Sequence, residues 1–317
     1  MSGKTKHILK KVLSWSGLFF FALAAWMLYL QLSKYELEDI KNALLAIPAQ
    51  NLWYACIASF FGYVALSSYD FLALKYIKKK LAAWKWIFVG FIGFSVSNNA
   101  GHAIVSGGAI RYRLYTRWRF KGADIVKMIT FSGFTYLVAC FFLIICGYLM
   151  TPDHAFGDGS VSHVTTAVTA LVSAIGLVIY FWAAIYYKKP LVIKEVKFVM
   201  PSFRLALAQV LIGGLDILLA SLVLYFTLTA FMDIPFVTFI GVFIIAQVLG
   251  VFSQVPGGLG VFESLFLYII PGENNQAMLF GALIAYRIIY YLLPLVISAI
   301  ALIVYEISLN TKKKLRR

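Results

Sequence analysis

Two short stretches, Val105-Ser106-Gly107-Gly108 and Val255-Pro256-Gly257-Gly258, determine the architecture that we expect for this chain. Each lies inside strongly apolar sequence, and each is followed, eight positions after its valine, by a charged residue: Arg113 in the first case and Glu263 in the second. Glycine pairs weaken helices, and irregular backbone at membrane depth is tolerated only where it is buried in protein or lines a wet cavity. The two stretches therefore predict two broken helices that line a transport path.

The composition is that of a polytopic membrane protein. Hydrophobic residues make up 62% of the 317 residues and charged residues only 13%, whereas about a quarter of the residues in a typical soluble chain are charged. The net charge of +15 comes from basic residues in short loops between apolar runs, which is the distribution of the positive-inside rule. We therefore expect membrane phospholipids as partners and no nucleic acid.

The chain contains eight apolar segments, and the charges that flank them indicate that two do not cross the membrane. The segments are 12–32, 52–77, 86–110, 125–150, 164–187, 204–231, 236–271 and 277–308. Basic clusters flank 86–110 on both sides, so both of its ends should lie in the cytoplasm. Asp233 and Glu273 flank 236–271 with no basic residue between them, so both of its ends should lie outside.

The sequence thus predicts an all-α polytopic membrane protein with six full transmembrane helices, two re-entrant hairpins and both termini in the cytoplasm. All but three of the 28 Lys and Arg residues then lie at the cytoplasmic side. An acid precedes each hairpin, Asp70 in one half and Asp216 in the other, and the hairpins enter from opposite faces, as in inverted-repeat transporters. We expect one integral membrane domain over 1–317, with repeat halves of about 52–127 and 204–275. That 236–254 crosses the membrane by itself remains an alternative.

The first hairpin holds candidate groups for binding an anion. Unwound backbone N–H groups at Gly107 and Gly108, with the amide of Asn98, would face a phosphate beside Arg111 or Arg113, because helix N-termini and the planar guanidinium both suit phosphate oxygens. Alternatively, Asn98 and the nearby serines satisfy freed backbone groups, and the arginines are cytoplasmic anchors on anionic lipid headgroups.

The second hairpin must break at its proline and glycines, Pro256, Gly257, Gly258 and Gly260, because proline removes a donor and glycine permits positive φ. Glu263 follows within apolar sequence and would cost on the order of 3 kcal/mol in the membrane without a partner. Arg287 in the last segment is the first candidate partner, and Asp216 competes for that arginine. A purely structural Glu263–Arg287 pair is the alternative to a role in the path.

Two further polar residues have open roles. Asp70 lies near the cytoplasmic end of its segment, where Lys75 could neutralise it or where it could serve the path. His102 is either a hydrogen-bonded core residue or a proton relay. The sequence shows no catalytic constellation, ATP-binding motif or metal-ligand spacing. We therefore expect no catalytic residues, no cofactor and no metal, and drive from a gradient, from the membrane potential or from downhill exchange.

The two hairpin motifs resemble a known family. The patterns SxSNxxGHAxxSGGAxRYRLY at 95–115 and QVPGGLGVFE at 254–263 are similar to the membrane domain of the bacterial lysylphosphatidylglycerol synthase/flippase family. The resemblance implies a domain that moves aminoacylated phosphatidylglycerol from the inner to the outer leaflet, with charged positions at Asp70, Arg111 or Arg113, and Glu263. In that family a separate soluble domain makes the lipid. We expect this chain to lack that transferase domain and not to be an enzyme by itself.

The leading hypothesis is a lipid translocase of the bacterial inner membrane, whose substrate is an anionic phospholipid such as lysyl-phosphatidylglycerol. Export of that lipid would lower the negative charge of the outer surface and repel cationic antimicrobial peptides. Alternatives are a small-solute or ion carrier, an intramembrane lipid-modifying enzyme, and a membrane subunit that supports phosphatidylglycerol lysyltransferase-type modification. A separate lipid-modifying enzyme and a second copy of the chain are candidate partners.

Overall fold

The computed structural model describes residues 37–100, 103–150, 163–193, 196–253, 256–258, 260–269 and 276–314. Within these ranges the chain is almost entirely helical. The helices are α1 (Leu37–Ala46), α2 (Ala49–Tyr76), α3 (Ala83–Ala100), α4 (Ala103–Arg117), α5 (Gly122–Met150), α6 (His163–Tyr186), α7 (Phe203–Leu228), α8 (Phe236–Phe252), α9 (Val261–Ile269), α10 (Gln276–Tyr286) and α11 (Leu293–Lys314).

Five helices in the described part of the chain are long and apolar enough to cross a membrane. They are Ala49–Tyr76, Gly122–Met150, Thr165–Tyr186, Phe203–Leu228 and Gly281–Leu309. They match five of the six spans predicted from the sequence, and the sixth, 12–32, lies outside the described residues. The prediction of an all-α polytopic membrane protein is therefore confirmed.

The remaining two apolar segments each contain two helices. The first unit is α3 followed by α4, and residues 101–102 between them lie outside the described residues. The second unit is α8, a short 3₁₀ turn at Pro256–Gly258, and α9. The two helices of each unit pack against each other. That both units re-enter, and that they belong to inverted repeat halves, remain predictions.

The predicted break at Gly107 and Gly108 is wrong, because both residues lie inside α4. Their small size is needed for packing instead. A Cβ on Gly107 would lie 1.9 Å from the Ser97 Oγ and 2.7 Å from the Gly93 carbonyl oxygen, and a Cβ on Gly108 would lie 3.3 Å from Ile129. Gly107 lets α3 and α4 cross closely, as small residues do at helix interfaces in membranes, and Gly108 faces Ile129 of α5.

The predicted break in the second unit is confirmed. Gly257, Gly258 and Gly260 have φ values of 61°, 63° and 83°, in the region that L-residues with a side chain rarely adopt. Gly258 also approaches the preceding helix, since a Cβ there would lie 3.2 Å from the Gly250 Cα. The chain therefore reverses sharply between α8 and α9.

Helices α2 and α7, which carry Asp70 and Asp216, make the most extensive helix–helix contact among the described elements. Their interface belongs to a large apolar core that also includes residues of α5, α8, α9 and α10. A second apolar cluster surrounds the first unit and the cytoplasmic end that we expect for α2. The acids are therefore held between packed helices and do not face lipid.

A short antiparallel strand pair, β1 (Leu191–Ile193) and β2 (Val196–Phe198), joins α6 to α7, with Leu191 opposite Phe198. Sequence reasoning did not anticipate it. The Tyr76 hydroxyl donates a hydrogen bond to the Val199 carbonyl oxygen at 2.7 Å. The strand pair is thereby tied to the end of α2.

The last helix is interrupted by a π segment, Arg287–Leu292, between α10 and α11. A π segment leaves carbonyl groups out of the regular α-helical ladder. Three consecutive carbonyl oxygens accept side-chain hydrogen bonds here: Ile289 from Ser59 at 3.1 Å, Tyr290 from Tyr63 at 3.0 Å and Tyr291 from Asn99 at 3.1 Å. Helices α2 and α3 therefore supply the donors that the π segment needs inside the membrane.

Candidate functional site: buried ion pairs in the two units

The first unit contains a fully buried ion pair between Arg111 of α4 and Asp70 of α2. Their side chains are 4% and 0% exposed, and Arg111 Nη2 lies 2.8 Å from Asp70 Oδ2. Arg111 Nε is 3.1 Å and 3.2 Å from the two carboxylate oxygens, and Tyr115 donates its hydroxyl to Oδ1 at 3.0 Å. The guanidinium also lies over the Phe94 ring, 4.3 Å from its centroid. The pair is thus bidentate and stacked, which favours arginine over lysine.

One of the two interpretations of Asp70, its neutralisation by Lys75, is wrong. The Lys75 ammonium lies over the Phe71 ring, 4.4 Å from its centroid, and Asp70 is paired with Arg111. The physical reason is the close crossing of α3 and α4, which brings the Arg111 guanidinium beside Gly93 and onto α2; a Cβ on Gly93 would lie 3.1 Å from Arg111 Nη1. Arg111, predicted to bind phosphate, therefore already holds a carboxylate in this conformation.

The second unit contains the ion pair that the sequence predicted between Glu263 and Arg287. Arg287 Nε donates to Glu263 Oε1 at 2.7 Å, and both side chains are buried. The other carboxylate oxygen accepts the Gly260 N–H at 2.7 Å, so Glu263 also satisfies a free donor at the start of α9. Arg287 Nη1 donates to the Gly257 carbonyl oxygen. The pair therefore holds the glycine break in place.

Arg113 does not lie beside Arg111 in the first ion pair. It pairs with Glu306 of α11 at 2.8 Å, and Arg117 contacts the same carboxylate at 2.8 Å. Sequence reasoning missed Glu306, although it is the one acidic residue between 277 and 308, and an acid in apolar sequence signals a partner. The final helix therefore contacts the second unit through Arg287 and the first unit through Glu306.

Asp216 lies in a different environment from the other buried acids. It is 3% exposed and accepts a hydrogen bond from the Tyr69 hydroxyl at 2.9 Å. Tyr290, Tyr136 and Cys140 also lie close enough to interact electrostatically with it. Among the described residues no lysine or arginine forms an ion pair with Asp216, so the arginine for which it was expected to compete belongs to Glu263.

The other predicted site residues lie at the tip of the first unit or outside the described part. Asn98 is half-buried and contacts the Tyr63 hydroxyl. Its neighbour Asn99 is fully buried and bonds the Ser95 carbonyl as well as the π segment. His102 and the Pro256 side chain are outside the described residues. Asn99 therefore satisfies backbone groups here, whereas Asn98 contacts a side chain. A phosphate-binding role for Asn98 remains a prediction.

Sequence reasoning also missed the tyrosines that contact the buried acids and the π segment. Tyr115 bonds Asp70, Tyr69 bonds Asp216, and Tyr63 bonds the π segment. Their clustering gave a faint signal, since Tyr286, Tyr290 and Tyr291 flank Arg287 and Tyr69 precedes Asp70. Buried tyrosines usually have hydrogen-bond partners. The tyrosines line a buried polar zone that runs from Asp70 toward Arg287.

Comparison with known proteins identifies the family. The family described as the lysylphosphatidylglycerol synthase TM region matches residues 15–298. An uncharacterized protein of Synechocystis is 30% identical over 302 residues, which cover 94% of this chain and 92% of that protein. Inner membrane protein YbhN of Escherichia coli is 29% identical over 316 residues, covering 98% and 95%.

A third relative is named for an enzymatic activity. Phosphatidylglycerol lysyltransferase of Staphylococcus xylosus is 27% identical over 292 residues, which cover 88% of this chain but 32% of that protein. The chain thus spans about a third of that lysyltransferase. From the family match and the two full-length relatives it follows that this chain belongs to the lysylphosphatidylglycerol synthase TM region family.

Proposed function

We propose that this protein moves an anionic phospholipid, with or without an aminoacyl group, between the leaflets of the bacterial inner membrane. The observation that carries the proposal is the bidentate Arg111–Asp70 pair, buried where the first unit meets α2. Fully buried charges are rare inside membrane helices and are associated with substrate paths. The family match and the lysyltransferase relatives support a role in lipid handling.

The pair is suited to an exchange of anions. A phosphodiester offers two non-bridging oxygens that can accept the same pair of hydrogen bonds as the Asp70 carboxylate, so it can replace Asp70 without leaving Arg111 unpaired. Removing a carboxylate without replacement would cost about 3–5 kcal/mol for a buried charge. In this proposal Asp70 holds Arg111 in the resting protein, and the lipid phosphate displaces it during passage. An ammonium on the headgroup would then meet Asp70.

We also propose that both termini lie in the cytoplasm. The distribution of basic residues along the chain supports this orientation, and the similarity to inner membrane protein YbhN of Escherichia coli supports the inner membrane. Glu263 and Arg287 would control access at the opposite side through the second unit. The energy source in this scheme is the membrane potential or an existing lipid gradient.

The test is lipid movement in proteoliposomes that contain fluorescent phosphatidylglycerol or lysyl-phosphatidylglycerol. We expect the wild type and an Arg119→Gln variant, which removes an exposed arginine, to move lipid at equal rates. We expect Arg111→Lys to slow movement about tenfold or more, because a lysine lacks the bidentate fork. Absence of movement of both lipids by folded wild-type protein would refute the proposal and favour a small-solute or ion carrier.

A second candidate function is that of a membrane subunit for a separate lipid-modifying enzyme. The match to about a third of a phosphatidylglycerol lysyltransferase favours it, because the relative joins such a region to further sequence. This function predicts that deletion of the protein changes the amount of aminoacylated lipid in the cell. Lipid translocation predicts that the amount stays constant and only its distribution between the leaflets changes.

A further inference from the structure

A lateral groove opens on the outer surface of the helix bundle, between α2, α3 and the final helix. Its cavity has a volume of about 350 Å³. One wall is a stripe on α2 formed by Cys56, Ser59, Phe60, Tyr63, Val64 and Ser67. The other walls include Phe91 of α3 and Leu293 and Ile297 of the final helix. None of these residues belongs to the ion pairs described above.

The shape of the groove fits a single hydrocarbon chain. The α2 stripe follows the i, i+3, i+4, i+7 spacing of one helix face. At 1.5 Å per residue, it extends about 16 Å from Cys56 to Ser67. One leaflet of the hydrocarbon core is about 15 Å thick. The groove is thus elongated along the helix axis and as long as one leaflet is deep.

The chemistry of the groove also suits hydrocarbon and not water. Its polar side chains already have partners: Ser59 donates to the Ile289 carbonyl at 3.1 Å and Ser67 to the Tyr63 carbonyl at 2.7 Å. The Tyr63 hydroxyl donates a hydrogen bond to the Tyr290 carbonyl oxygen at 3.0 Å. A water molecule in a cavity needs two or more polar partners. The surface left for an occupant is therefore apolar.

The groove is accessible from the lipid phase. Phe60 at its mouth is 66% exposed and Val64 is 49% exposed. On the opposite wall, Leu293 and Ile297 are 46% and 47% exposed. In a protein with five apolar helices long enough to span a membrane, these faces meet acyl chains. The acyl chains of the surrounding membrane can therefore enter the groove directly.

The groove lies close to the first ion pair. Phe91 lines the groove and contacts Tyr63, with ring centroids 5.4 Å apart. Phe94, one turn later on α3, lies over the Arg111 guanidinium at 4.3 Å. The groove wall at Phe91 is thus one helical turn along α3 from the ring that stacks on Arg111. This proximity is what connects the groove to the first ion pair.

We propose that this groove binds one acyl chain of a phospholipid while the phosphate of the same lipid exchanges with Asp70 at Arg111. The identity of the occupant as the transported lipid rests on the proposed function. A groove of this kind implies that the substrate is a diacyl lipid and that the protein holds one of its tails during passage. A headgroup without chains would not be a substrate.

The direct test uses phosphatidylglycerol that carries a photoactivated diazirine on one acyl chain, in vesicles with the wild-type protein. Cross-linked peptides are then located by mass spectrometry. We expect labelling to concentrate on the α2 stripe and on Leu293 and Ile297, about tenfold above the lipid-facing residues of α6, a ratio equivalent to about 1.4 kcal/mol. Equal labelling of α6 and the groove would overturn the proposal.

A variant that fills the groove tests the same site in another way. Val64→Trp places a large side chain at the mouth of the groove, at a position that is 49% exposed. Val178→Trp on α6, at a position that is 68% exposed, is the matched control. We expect Val64→Trp to lower both groove labelling and lipid movement about tenfold. The control should leave both unchanged. Unchanged groove labelling in Val64→Trp would contradict the proposal.

The two proposals fail in different ways. If the wild-type protein moves lipid but the groove is labelled no more than α6, the groove proposal fails and the proposed function stands. If the groove is labelled selectively but neither lipid moves, the groove still binds an acyl chain and the proposed function fails. A soluble phosphoglycerol headgroup that competes fully with the lipid would overturn the requirement for a chain.

Discussion

Removing one partner of the Arg111–Asp70 pair should destabilise the protein more than removing both. In Asp70→Asn, the guanidinium keeps its burial, at 4% exposure, but loses the carboxylate that it now contacts through Nε and Nη2. Breaking a buried pair in this way costs about 3–5 kcal/mol, because an uncompensated charge remains. Arg111→Gln leaves the 0%-exposed carboxylate with the Tyr115 hydroxyl and should cost a similar amount.

The double variant, Asp70→Asn with Arg111→Gln, has no buried charge. Its two amides can share a hydrogen bond, so the expected loss is about 1–2 kcal/mol, the size of one or two imperfect hydrogen bonds. The double variant should therefore be more stable than either single variant. This strongly non-additive result is characteristic of residues that interact directly.

The assay is unfolding by titration with sodium dodecyl sulfate in mixed micelles, followed through the fluorescence of the seven tryptophans. Arg119→Gln serves as the control for loss of an exposed arginine. A double variant destabilised by the sum of the two single losses would refute the reasoning, because the residues would then act independently.

Three further substitutions can be measured by the same titration. Gly107→Ala should lower the free energy of unfolding by about 1–3 kcal/mol through overpacking, since its Cβ would lie 1.9 Å from a hydroxyl of the facing helix. The control Gly133→Ala, whose Cβ would have nothing within 4 Å, should cost nothing. Equal effects of the two substitutions would contradict the packing argument. Gly257→Ala, at a φ of 61°, should cost about 1–2 kcal/mol, and Gly257→Asn should cost less, because asparagine tolerates this region. Tyr63→Phe removes the 3.0 Å bond to a carbonyl of the π segment and should cost about 1 kcal/mol, whereas Tyr148→Phe, at a position that is 40% exposed, should have no effect.

The sequence predicted the features that depend on local hydropathy and on the cost of isolated charges. The five described spans follow from runs of apolar residues, and the Glu263–Arg287 pair follows from the need of a membrane carboxylate for a cation. The break at Gly257 could be predicted because proline and three glycines occur together. Each of these inferences needs only the residue types along the chain.

The sequence could not predict the features that depend on how helices cross. Gly107 is as compatible with a break as with a close contact, and only the position of Ser97 on the facing helix distinguishes the two. The partner of Asp70 lies 41 residues away on another helix, whereas Lys75 is near in sequence but points onto a ring of its own helix. The pairing of Glu306 with Arg113 likewise depends on how helices pack, here α11 against α3.

The π segment begins at Arg287 and precedes Glu306, the two charges through which the final helix contacts the second and the first unit. A π segment contains one extra residue per turn, and its conversion to α-helix would rotate one part of the helix relative to the other by about 100° and shift it by about 1.5 Å. Such a conversion would change the orientation of Arg287 relative to Glu306. The hydrogen bonds from Ser59, Tyr63 and Asn99 to the π segment oppose that rotation. These three bonds from α2 and α3 therefore fix the angular relation between the two charges, and through it the relation between the two units that the charges contact.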